Sequence, residues 1–79
     1  MPTESKIRNI LMAICRKEVT VDRQASLFET GVLDSFALIE LVSAIEKEFQ
    51  LEIPDPHLTP RTFSSIERIE DYLRSRGAA

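Results

Sequence analysis

The chain has 79 residues, enough for one small domain with a thin core. Hydrophobic residues make up 43% and charged residues 29%, an ordinary globular balance, and a net charge of −3 argues against a nucleic-acid partner. A single cysteine, Cys15, and a single histidine, His57, exclude an internal disulfide, a cysteine-held zinc and the common His-based metal sites.

No apolar run approaches the roughly 18 residues of a membrane span. Met1 to Lys6 lead into an amphipathic pattern and not into the apolar run of a signal segment. The expectation is a single soluble domain over 1–79, cytoplasmic and monomeric.

The first element is expected over residues 4–17. Ile7, Ile10, Leu11 and Ile14 recur at i, i+3, i+4, i+7, and Thr3 or Ser5 can cap the start. Cys15 continues this stripe and reads as a small buried hydrophobe. Residues 22–34 form a connection that is long for so small a domain, so it should be functional or anchored. Leu27 and Phe28 are the expected anchors. Gly31 gives the backbone freedom just before the next helix.

The second helix is expected over 35–50, with Leu38, Leu41, Val42, Ile45 and Phe49 on one stripe and Asp34 or Ser35 as cap. Pro54 and Pro56 exclude its continuation. The Pro-punctuated segment 53–63 should carry a short helical turn near 55–58, with Leu58 and Phe63 facing inward.

A last helix is expected over 65–75. Ser64 serves as its cap, Glu67 reaches back in a capping box, and Ile66, Ile69, Tyr72 and Leu73 are buried. Gly77 and the terminal alanines should fray. The fold class is all-α: a small four-helix bundle of three main helices and one short one.

At about 100° per residue, Phe36 lands almost opposite the core stripe of the second helix, and Ile39 lies well off it. Glu40, Ser43, Glu46 and Lys47 fall beside them. Isolated exposed apolar residues need no explanation, but an aromatic with a charged rim also fits a docking face. Residues 34–55 hold six acids and one base, a local charge of −5, while the segments before and after are each +1. That run is either a solvated face or a means of steering basic partners.

Asp34-Ser35 at a loop-to-helix junction reads first as a cap. The same geometry has a chemical use: a phosphate on an exposed serine there would sit at the positive helix end, near unpaired N–H groups. Gly31-Val32-Leu33-Asp34-Ser35-Phe36 resembles the phosphopantetheine attachment motif of acyl carrier proteins. The likeness continues through Ile39-Glu40-Leu41-Val42, Ala44-Ile45-Glu46, Glu48-Phe49 and Glu52-Ile53-Pro54-Asp55 to Asp71-Tyr72-Leu73, over the whole chain.

The resemblance implies a carrier without catalytic activity of its own. Ser35 would bear 4'-phosphopantetheine, placed by a phosphopantetheinyl transferase, with Gly31, Leu33, Asp34 and Phe36 as the motif around it. An acyl- or aminoacyl-loading ligase and downstream acyl-processing enzymes would dock on Phe36, Ile39, Glu40, Ser43, Ala44, Glu46 and Lys47. No metal belongs to the carrier itself.

Ala37, Ser43 and Lys47 depart from the pattern of fatty-acid carriers. Asp34-Ser35-Phe36 and the segment 54–66 are similar to D-alanyl and other specialised carriers. Fatty acyl, polyketide, aminoacyl and D-alanyl cargo all stay open, as does a helical interaction module that has lost the carrier role. His57 and the hydroxyl of Tyr72 are expected in solvent.

Overall fold

The computed structural model describes residues 3–16 and 19–78. In chain order they form α1 (Thr3–Cys15), α2 (Ser35–Phe49), a 3-10 turn (Asp55–His57) and α3 (Ile66–Ser75). No strand occurs among the described residues. The three main helices stand where expected, and the short fourth element, expected near 55–58, is a three-residue 3-10 turn. Two prolines, Pro54 and Pro56, leave that segment too few free N–H groups and too restricted a backbone to build a full helix. No described helix is long and apolar enough to cross a membrane.

α1 packs against both α2 and α3. Ile7 and Leu11 of α1 meet Leu41 and Ile45 of α2 and Ile66, Ile69 and Leu73 of α3 in one fully buried cluster. The connections complete it: Leu27, Leu33, Ile53 and Phe63 are all buried. Leu27 N–H donates to Ser64 O (2.7 Å), and Glu67 N–H to Arg23 O (2.8 Å), so the long first connection is tied to the start of α3.

Arg23 adds a charged clasp. Its guanidinium meets Glu70 at 2.6 Å, Glu67 at 3.3 Å and Glu4 at 3.7 Å, joining the connection to α3 and α1. The hydrogen bond to Glu70, ahead of the charges of all three acids, holds this guanidinium even more firmly protonated than usual.

Helix ends differ from expectation by a residue or two, each for a local reason. α1 stops at Cys15 because Arg16 turns left-handed (φ 60°); Lys17, expected as its last residue, lies outside the described residues. α2 stops at Phe49, where Gln50 takes φ 54° and gives its N–H to Glu46 O. A non-glycine residue there carries left-handed strain that glycine lacks. Gln50→Gly is expected to stabilise the fold by about 0.5–1 kcal/mol, read as a rise in urea midpoint; no rise would mean that the turn is relaxed with Gln.

The cap of α3 is Ser65, one residue later than expected. Ser65 Oγ accepts from Arg68 N–H at 3.1 Å, while Ser64 Oγ donates to Arg61 O. Glu67 does not reach back: its carboxylate is drawn to Arg23. Nor does the chain fray at once after α3. Gly77, at φ 74°, lets Ala78 N–H close on Leu73 O at 2.9 Å, and Ala78 packs against the core.

Leu58, expected inward, is 37% exposed. Its neighbour His57 accounts for this, because it is pinned outward: Nδ1 lies 2.8 Å from the Tyr72 hydroxyl, which also accepts from Arg76 Nη1. The hydroxyl of Tyr72 is thus engaged by side chains, where solvent was expected.

Candidate functional site

Three ties fix the start of α2. Leu33 is buried and its N–H donates to Leu27 O at 2.9 Å. Cys15 Sγ donates to Val32 O at 3.0 Å, hooking the end of α1 to the residue three before Ser35. Cys15 is half-buried and used for this contact. Gly31 takes φ 82°, a left-handed turn that a side chain would strain, and so redirects the chain into the helix.

The cap is Asp34, which settles the choice between Asp34 and Ser35. Its backbone is extended, Oδ1 accepts from Ala37 N–H at 2.8 Å, and its carbonyl accepts from Leu38 N–H. Ser35 is the first helical residue and is exposed. Its hydroxyl enters no hydrogen bond among the described residues, and the N–H groups of Ser35 and Phe36 find no acceptor there either.

This arrangement presents a rigidly placed, unengaged hydroxyl at the positive end of a 15-residue helix. Beside it lies a cleft of about 310 Å³ between the end of α1 and the start of α2, lined by Cys15, Gly31, Val32, Asp34, Phe36 and Glu40 among others. The donor set fits a phosphodiester: a free oxygen to bond it and two free N–H groups to face its charge. Among the described residues no group of three His, Cys, Asp or Glu side chains is placed to hold a metal.

The face of α2 beyond Ser35 is open. Phe36 is 81% exposed and Ile39 67%. Glu40, Ser43 and Lys47 are exposed and Ala44 half-buried. Glu46 is not free on this face, because its carboxylate accepts from Ile53 N–H at 2.8 Å and holds the exit turn of α2. Leu58 is the surface residue that sequence reasoning placed elsewhere: it lines a cleft with Leu38, Ile39, Val42 and Ser43.

A sequence profile described as the phosphopantetheine attachment site matches residues 5–73. The chain belongs to the carrier-protein family. An aminoacyl carrier protein of Agrobacterium fabrum is 38% identical over 71 residues, covering 86% of this chain and 84% of the relative. A D-alanyl carrier protein of Bacillus subtilis is 31% identical over 55 residues, 68% of this chain and 70% of the relative.

Among solved structures, one match is to a crystal structure of an engineered Bradyrhizobium japonicum glycine:[carrier protein] ligase complexed with a carrier protein from Agrobacterium tumefaciens and AMP. It has a TM-score of 0.81 at 35% identity, covering 90% of this chain and 97% of that one. Like its relatives, this carrier is not itself an enzyme, and its cofactor is 4'-phosphopantetheine.

Proposed function

We propose that Ser35 is the residue that bears 4'-phosphopantetheine, and that this carrier is loaded with an amino acid by an aminoacyl ligase. The observation that carries the first part is the division of labour at the start of α2. Asp34 takes the capping bond, which leaves the Ser35 hydroxyl exposed and unengaged. A phosphopantetheinyl transferase would join that oxygen to the arm's phosphate, breaking the pyrophosphate bond of coenzyme A, so that adenosine 3',5'-bisphosphate leaves and the hydroxyl proton passes to a base of the transferase or to solvent. When bound, the arm supplies a terminal thiol that holds cargo as a thioester.

This chain's own residues hold the attachment oxygen in place and present a face. Gly31, Leu33 and Asp34 fix the loop and the helix start. Phe36, Ile39, Glu40, Ser43, Ala44 and Lys47 offer an apolar surface edged with charge to the transferase, the loading ligase and downstream enzymes. Glu46 supports that face from its end by holding Ile53.

The aminoacyl reading is favoured by the 38% identity to an aminoacyl carrier and by the likeness to a carrier crystallised with a glycine:[carrier protein] ligase. The D-alanyl relative supports the same cargo class, an amino acid.

Intact-mass analysis tests both parts. Incubation with coenzyme A and a phosphopantetheinyl transferase should add one phosphopantetheinyl group. An aminoacyl ligase with ATP and amino acid should then add one aminoacyl group that hydroxylamine removes. No first gain sinks the Ser35 assignment; a first gain followed by fatty-acyl loading alone sinks the aminoacyl reading.

A further inference from the structure

Ile39, Ser43 and Lys47 follow one another at i, i+4, i+8 on the open side of α2. Glu40, Ala44 and these three line a shallow groove, and Ile39 and Ser43 also belong to the cleft of about 220 Å³ walled by Leu58. The two adjoin at Ile39 and Ser43 and together make a trough. Its wall is set, because the turn carrying Leu58 is fastened to α3 through His57 and Tyr72.

The trough has charge polarity along its length. Lys47 is the one base of α2, and it enters no ion pair among the described residues. Its neighbours in sequence are committed elsewhere, Glu46 to Ile53 N–H and Glu48 to Lys6. Glu40, seven residues earlier and so about 10 Å along the axis, enters no ion pair among the described residues either. A uniformly basic partner surface would suit Glu40 and be repelled at Lys47.

Resting on the aminoacyl reading, we propose that the loading ligase reads this polarity: it seats an apolar side chain between Ile39 and Leu58 and sets a carboxylate on Lys47. A base on the same ligase surface faces Glu40. Lys47 is then a specificity determinant, inverting at one end of the face the charge that the local −5 suggests.

The test is steady-state kinetics of a glycine:[carrier protein] ligase with varied holo carrier. Lys47→Glu should raise the KM for the carrier about tenfold with kcat retained, since a misplaced rim charge acts on encounter and affinity. Lys47→Arg should stay near wild type, and Leu58→Asp should raise KM likewise. Arg68→Glu makes the same charge change on α3, away from the trough, and should leave KM unchanged.

Equal effects of Lys47→Glu and Arg68→Glu, or no effect of either, overturn the proposal. Sedimentation must give a monomer for wild-type protein. A dimer that Lys47→Glu dissolves would assign the trough to a second copy, because antiparallel α2 helices would pair Lys47 with Glu40, and would overturn the ligase assignment. A wild-type holo protein that no aminoacyl ligase loads overturns the aminoacyl reading and this assignment together, and shows before any variant is made.

Discussion

Ser35→Ala is expected to abolish the mass gain from coenzyme A and transferase completely, while leaving the fold as stable as before. The two halves of that result come from neighbouring atoms. The hydroxyl is the proposed attachment oxygen and enters no hydrogen bond among the described residues, so its removal breaks no contact. Alanine is also the better helix former at an exposed first-turn position.

The capping bond belongs to Asp34, and Asp34→Ala should cost about 1 kcal/mol with the serine still present. Urea melts and intact masses on the two variants separate the roles. A mass gain in Ser35→Ala would move the attachment elsewhere. A stability loss in Ser35→Ala equal to that of Asp34→Ala would make the serine a structural cap.

Phe63→Ala should bring the fold close to collapse. Phe63 is fully buried although it lies in the irregular segment before α3, and its ring packs against Tyr72 with centroids 6.0 Å apart. Emptying such a site removes about 3–5 kcal/mol. A domain of this size holds only the lower part of the usual range of about 5–15 kcal/mol. The urea midpoint should fall by half or more. A loss below about 1.5 kcal/mol would mean that neighbouring side chains close over the cavity, as happens where a site relaxes well.

The parts of the molecule legible in the sequence are those governed by neighbours along the chain. The stripe Leu41–Ile45 and the outward placing of Phe36 follow from helical period alone, and Asp34 caps α2 because its side chain reaches N–H groups only three residues on. Ser64 and Ser65 offer the same chemistry in adjacent places. The bond from Leu27 N–H to Ser64 O, made across the fold, is a contact that local pattern does not contain. Leu58 was misplaced for a related reason. Between prolines there is no period to read, and its exposure depends on His57 meeting a tyrosine fifteen residues away. Arg23 left no sequence signal at all, since its partners lie at positions 4, 67 and 70.

That clasp bears on how the carrier opens. Glu4, Glu67 and Glu70 converge on one guanidinium, and without it three like charges would face one another. Detaching the first connection therefore also loosens α1 from α3. The segment that aims Ser35 has no inexpensive local route to disorder, and its breathing is coupled to that of the whole domain. In the proposed reading, Ser35 is then presented at one constant position, and the arm would supply the reach.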